Sequence, residues 1–314
     1  MHFRLLLFLF VVILSMLALA AREYHLLPDG KLHIYTLDVG QGDSILIVSP
    51  SGKQVLIDGG PDLSSLERIG EYMPFFDRTI ELLVLTHPDT DHIASFPDVL
   101  SRYKVERVLM SGIQHKSSLY SEFLDLLQKQ NIPVILADSS QNMMIGDGLI
   151  FEVLWPSIQD VFANIQDPNG TSVVLMAHYG LDRILLTGDI EKEQEAVILA
   201  SGIDLRADVI KVPHHGSRTS SSTGWLAAVR PEMALVSVGE ENTFGHPHPD
   251  VMERYAQLDI PVHSTVEEGT ISLEFTGKRA VSTQHYTYEG SSFARRPIQT
   301  LLATYGKKSF SYLW

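Results

Sequence analysis

Apolar and polar positions alternate along the first part of the chain in a way that predicts short strands. Residues 31–37 alternate and run into Asp38-Val39-Gly40-Gln41-Gly42-Asp43; residues 44–48 form a second strand-like run and residues 54–57 a third. Turns rich in glycine and polar residues separate them, which predicts an antiparallel meander. The period then changes. Helices are predicted at 64–76, 93–102 and 118–130, with strands at 80–85, 105–110 and 134–137 between and after them. The second half repeats this grammar: strands at 149–155, 172–178 and 183–186, a helix at 191–201, a strand at 207–212, a short helix at 224–229, a strand at 233–238, a helix at 249–258 and a last strand at 270–275. Two meanders, each followed by strand–helix alternation, predict an α/β fold with two sheets packed face to face and helices outside.

The N-terminus follows a different rule. Arg4 precedes an apolar run from Leu5 to Leu19 that closes on Ala18-Leu19-Ala20. A positive start, an apolar segment of about 15 residues and an A-x-A ending predict a secretory signal over residues 1–20, cleaved near Ala20, and hence an exported, periplasmic or extracellular protein. A retained membrane anchor is the alternative, set aside because the run is shorter than the roughly 20 residues of a spanning helix.

Composition narrows the chemistry. The chain has 314 residues, 45% of them hydrophobic, enough for a substantial core. It contains no cysteine, so disulfides and thiolate metal sites are excluded, and any metal must be held by His nitrogen and carboxylate oxygen. Zinc and manganese suit such donors. Net charge is −14, but residues 278–314 carry six Lys/Arg against one Glu, leaving −19 on residues 1–277. An acidic body repels polyanions unless bound cations reverse the field near the site. The basic, aromatic-rich extension 278–314 is read as a tail packed on that body or left mobile, or as a strip for single-stranded nucleic acid.

The candidate chemistry sits at strand ends. His87, Asp89, Asp91 and His92 follow the strand at 80–85, Asp189 follows 183–186, His214 and His215 follow 207–212, and Asn242, His246 and His248 follow 233–238. Two imidazoles and two carboxylates on one short loop call for a shared cation. If the strands lie side by side, these loops meet at one edge and hold two divalent ions, with Asp189 bridging. Asp38–Asp43 is read as shaping the loop beneath the site, and a capping turn is the plain alternative for each cluster.

The ordered segments LDVGQGDSILI, LIDGG, LTHPDTDH, LLTGD, KVPHHGS and NTFGHPHP resemble the motifs of the metallo-β-lactamase superfamily, and within it the extracytoplasmic hydrolase domain of ComEC-type DNA-uptake proteins. The resemblance covers residues 31–277. It implies the αββα four-layer sandwich, a dinuclear metal hydrolase with Zn²⁺ or Mn²⁺, and a nuclease acting on a DNA strand. Carried over, His87 and Asp89 resemble the ligands of one ion, Asp91 and His92 those of the other, and Asp189 the bridge. Asp89 stands where the superfamily usually has histidine, which makes the site harder and favours manganese. Where many members place a histidine before the bridge, this chain has Asn169-Gly170-Thr171-Ser172. One of His214 and His215 is expected to complete the second ion, and which one is left open. Asp91, His215 and His246 are the expected catalytic residues, His246 as a general acid, with Ser217 and Asn242 donating to substrate oxygens. The expected substrate is a phosphodiester, single-stranded DNA included; a small phosphoester of the phosphocholine type or a lactone is the alternative. A non-catalytic binding module is the third reading.

Overall fold

The computed structural model describes residues 2–139, 141–162, 167–240, 242–278 and 281–284. Helix α1 (His2–His25) leads into strands β1 (Leu32–Thr36), β2 (Ile45–Val48) and β3 (Gln54–Ile57), which pair antiparallel as the alternation predicts. Helix α2 (Ser64–Tyr72), strands β4 (Thr79–Ile80) and β5 (Leu82–Leu85), helices α3 (Thr90–Ile93) and α4 (Phe96–Arg102), strands β6 (Lys104–Val105) and β7 (Val108–Met110), helix α5 (Ser118–Gln130) and strand β8 (Val134–Leu136) complete the first half. The second half runs β9 (Asn142–Gly146), β10 (Leu149–Trp155), α6 (Ile158–Phe162), β11 (Val174–Tyr179), β12 (Asp182–Leu186), α7 (Lys192–Ala200), β13 (Val209–Lys211), α8 (Thr223–Val229), β14 (Met233–Val236), α9 (Pro249–Gln257), β15 (Val262–Ser264) and α10 (Thr265–Glu268). Strands β16 (Ile271–Phe275) and β17 (Val281–Gln284) then return to the first sheet.

The strand orders are β17-β16-β1-β2-β3-β5-β7-β8 and β15-β14-β13-β12-β11-β10-β9, with β4 and β6 as a small separate pair. Each large sheet is an antiparallel meander that turns parallel, at β3–β5 in the first and β12–β13 in the second. Strands buried on both faces read as continuous apolar runs, and their alternate residues serve two cores. In β5, Leu82 and Val84 face the core between the sheets, while Leu83 and Leu85 face the helices. In β12, Ile184 and Leu186 share that central core with Phe151 and Leu175, and Leu185 packs outward with Ile198, Trp225 and Tyr255. Two sheets back to back with a helical layer on each outer face are the expected αββα sandwich.

Several boundaries differ from the expectation. The helix expected to 76 ends at Tyr72, because Met73 precedes Pro74 and takes an extended conformation (φ −103°, ψ 142°). The helix expected over 93–102 is two pieces, the second opening with Pro97 in its first turn. The N-terminal helix continues past the apolar run to His25, and Phe3–His25 is long and apolar enough to cross a membrane. Strand β17 pairs with β16, so the first sheet extends past residue 277. The rest of the basic, aromatic extension, from residue 285 on, lies outside the described residues.

Candidate metal centre

The parallel strands deliver the chemistry. Strands β3, β5, β12 and β13 end at one edge of the sandwich, and the loops leaving their C-terminal ends carry Asp58, His87–His92, Asp189 and His214–His215. The β1–β2 loop reaches the same edge with Asp43, whose N–H donates to Asp91 O at 3.2 Å. The approach is close enough to require glycine. A Cβ on Gly42 would lie 2.3 Å from Asp91 O, and its φ of +142° suits no side chain.

Asp189 stands at the middle. Its Oδ2 is 3.2 Å from His215 Nε2, 3.3 Å from His92 Nε2 and 3.9 Å from His214 Nε2. Asp91 Oδ2 is 3.5 Å from His215 Nε2 and 3.9 Å from His92 Nε2. Four donors at metal bonds of about 2.1 Å in a tetrahedron stand about 3.4 Å apart, so this spacing is that of a ligand set. On the other side His87 Nε2 is 3.8 Å from Asp89 Oδ2, and the His87 and His92 rings lie 4.1 Å apart. The Nε2 atoms of His87, His92 and His215 and Oδ1 of Asp189 are buried and find no hydrogen-bond partner among the described residues. Leaving such groups unmet in a protein interior is costly, and a cation meets all of them at once.

The opposite nitrogen of each ring is engaged, which aims Nε2 inward. His92 Nδ1 is 2.8 Å from Asp58 Oδ2, and that carboxylate also accepts from Thr86 N (2.8 Å) and Thr86 Oγ (2.7 Å). His215 Nδ1 is 2.9 Å from Ser237 O and 3.4 Å from Asp43 Oδ1, and Asp43 is paired through Oδ2 with the buried Lys211 at 2.6 Å. His87 Nδ1 is 3.0 Å from Thr86 Oγ and 3.3 Å from Ser172 Oγ, and Ser172 Oγ accepts from Asp189 N at 3.1 Å. His214 Nδ1 contacts Glu191 Oε1 at 3.1 Å.

Electrostatics follow from burial and proximity. Burial holds His87 well below the usual imidazole range, with His92 adding to the effect. Burial alone would raise Asp189, but His215 and His92 outweigh it and keep it well below the usual carboxylate range. Burial would lower His92 and His215, yet Asp189 overrides it in both, pushing His92 well up and His215 up to about 10. The raised His92 and His215 rings thus balance the carboxylates around them, and a divalent ion held there would take the place of their protons, since a ligating imidazole must be neutral. No thiolate is present, and the N/O donor set fits divalent zinc or manganese.

The expected residues divide into a buried group and a rim. His87, Asp91, His92, Asp189 and His215 converge. Asp89 joins them from a more exposed position, its side chain 37% accessible. The adjacent histidines separate: His215 is buried, while His214 is partly open and lies 3.4 Å from Asn169 Nδ2. Both take left-handed backbone angles, φ +48° and +50°, a strained turn that sends the two rings to different places. His246 lies over His214 and His215 at ring distances of 5.5 and 6.5 Å. Burial, then His214 and His215, pull His246 down to about 4. Asn242 differs from expectation. Both hydrogens of its amide go to backbone carbonyls, Gly239 O and His246 O at 2.8 Å each, so it braces the loop and has none left for substrate. Ser217 Oγ lies 2.9 Å from Thr219 Oγ, which donates to Glu191, and His248 caps α9 through Asp250 N.

Asp58 and Lys211 carry structure that the sequence did not suggest, and Asp43, expected only to shape the loop beneath the site, stands within ligand distance of the cluster. Asp43, His92, Asp189 and His215 form a buried group whose candidate ligand atoms all lie within 4.8 Å of one another, and Asp43 reaches it behind His215. The aspartates inside LDVGQGD and LIDGG, each beside glycine turns, were the available signal.

Comparison with known proteins agrees with this architecture. The family model described as the metallo-beta-lactamase superfamily matches residues 37–240. The chain is 29% identical over 272 residues to ComE operon protein 3 of Bacillus subtilis, the match covering 81% of this chain and 34% of that protein. It is 31% identical over 265 residues to Recombination protein 2 of Haemophilus influenzae, covering 83% and 31% respectively. The chain thus spans about a third of the length of these relatives. Among solved structures, the metallo-beta-lactamase fold protein YhfI of Bacillus subtilis shares the fold at a TM-score of 0.52 and 12% identity, covering 78% of this chain and 99% of that one. With its αββα sandwich, its buried His/Asp cluster and these ComEC-type relatives, the chain belongs to the metallo-β-lactamase superfamily of metal-dependent hydrolases.

Proposed function

We propose that the chain is an exported phosphodiesterase that cleaves single-stranded DNA or a related phosphodiester with two divalent ions, manganese or zinc. The observation that carries this reading is the set of buried, unpartnered Nε2 atoms of His87, His92 and His215 together with Oδ1 of Asp189. Asp91, His92, His215 and Asp189 Oδ2 would hold one ion. His87, Asp89 and Asp189 Oδ1 would hold the other, with Asp189 shared. Ions held by these residues would supply Lewis acidity, lowering the pKa of a water toward neutrality and offsetting charge on a phosphoryl oxygen.

The chain's own groups do the positioning. Asp58, Ser237 and Ser172 fix the ring orientations from behind. His214 and His246 lie at the open rim, where they orient substrate oxygens by hydrogen bonds. Likeness to competence proteins supports a nucleic-acid substrate, and the apolar α1 supports export. The net charge of −14 favours the second reading, a small phosphoester or a lactone, because an acidic surface repels a polyanion.

The full chain, stripped with chelator and reloaded with Mn²⁺ or Zn²⁺, is expected to cleave single-stranded DNA and bis-p-nitrophenyl phosphate, and Asp91→Ala to abolish both. Lactone or small-ester turnover without DNA cleavage at any salt concentration would replace the nuclease reading with the second one. Absence of bound metal by elemental analysis after reloading would defeat both.

A further inference from the structure

We propose that α1 is retained as a membrane anchor and that the Met73–Phe76 loop is a second, interfacial contact that seats the sandwich on a phospholipid bilayer, its metal centre facing away. This concerns placement of the domain and does not depend on which substrate is cleaved.

The inference begins with depth. The apolar part of α1, residues 5–21 between Arg4 and Arg22, gives about 26 Å of helix, at the short end of what crosses a hydrocarbon core of about 30 Å. It ends at Arg22 and Glu23, and these two residues are tied to the body. Arg22 donates to Gly70 O at 2.6 Å and Glu71 O at 3.3 Å, the last-turn carbonyls of α2, where a cation is favoured. Glu23 Oε2 accepts from Phe75 N at 2.7 Å. The loop after α2 is therefore pinned to the level at which the apolar helix turns polar, the level of the lipid headgroups.

The loop's side chains suit that level. Phe75 and Phe76 are 73% and 67% exposed, and Tyr24, which follows Glu23 in the chain, is 74% exposed, a large aromatic surface for water to cover. Aromatic and basic groups collect at the membrane interface. The Arg78 guanidinium lies 5.3 Å from the Phe75 ring centroid, placing a cation beside the aromatics at headgroup depth.

Topology sets the orientation. Strands β1 and β5 begin at the edge of the sandwich that α1 and the 73–76 loop approach, and they run to the opposite edge, where Asp43 and His87–His92 lie. A bilayer under the first edge leaves the second open to water and to a dissolved polymer.

The chain has no cysteine, so one introduced cysteine takes one nitroxide label. Full-length Phe75→Cys and, separately, Phe76→Cys are labelled and reconstituted in phosphatidylcholine–phosphatidylglycerol vesicles, with Phe244→Cys and Val197→Cys as exposed apolar controls elsewhere on the body. Relaxation by oxygen should exceed relaxation by a water-soluble nickel chelate severalfold at 75 and 76, with the reverse at 244 and 197. Labels at 75 and 76 that relax like the controls would overturn the interfacial contact. A membrane-expressed protein whose N-terminus is Ala21 would overturn the anchor. Neither outcome bears on hydrolysis, so failure here is separable from failure of the proposed activity.

Discussion

Lys211→Met tests how the fold carries a charge pair beneath the metal centre. The ammonium lies 2.6 Å from Asp43 Oδ2, and the two side chains are 1% and 3% accessible. Nζ also donates to Val212 O at 3.0 Å. At an effective dielectric of about 20, charges at this separation attract by about 6 kcal/mol. Desolvation of the two ions, several kcal/mol each, offsets most of that gain, so the intact pair is nearly neutral for stability. Breaking it is costly: the substitution leaves the buried Asp43 carboxylate with only the His215 imidazolium, 3.4 Å away through Nδ1, to offset it, and is expected to cost about 3 kcal/mol, the low end for breaking a buried pair. Adding Asp43→Asn removes that under-compensated charge and should recover about 2 kcal/mol, a coupling within the range for contacting residues. Urea unfolding of the ion-free full chain in detergent, followed by circular dichroism, gives the four corners of the cycle. A single variant within about 1 kcal/mol of the parent, or a double variant whose loss equals the sum of the singles, would refute the reasoning.

Two further outcomes are expected. Asp58→Asn keeps the size and the contact with Thr86 but withdraws the negative charge behind His92, so affinity for Mn²⁺ or Zn²⁺ should fall about 10–100-fold with the fold retained; competition against a chelating dye measures this, and unchanged affinity counts against an orienting role. Burial, with Glu268 beside it, pushes Glu267 up to about 7 from an ordinary 4.5. Because the folded value is the higher one, the associated stability is present in full below about pH 4.5 and is lost as pH rises through about 7. Glu267→Gln should therefore gain on the parent at pH 8, by no more than about 1 kcal/mol given solvent screening, and match it at pH 4. Melting temperatures at the two pH values decide this, and an equal offset at both would contradict the assignment.

Much of this was legible without coordinates. The strands of the central layers could be read because both of their faces are buried, as Leu82–Leu85 and Asp182–Leu186 illustrate. His87, Asp89, Asp91 and His92 could be read because four donors fall on one short loop, and Asp189 because a glycine precedes it at a strand end. The end of α2 was readable too, in Met73-Pro74, although periodicity alone carried the helix four residues too far.

Local pattern along the chain thus determined the layers, the metal-binding character of the loops and the absence of thiolate chemistry, since each depends on residues close together in sequence or on composition. The tertiary structure alone decided that His215 and not His214 turns inward, that Asp58 stands behind His92 and Asp43 behind His215, that the Asn242 amide is consumed by its own loop, and that Phe75 lies beside the end of an apolar helix 52 residues earlier. The reason is physical: strand order and strained turns bring together groups far apart in the chain, and such pairings leave no periodicity to read.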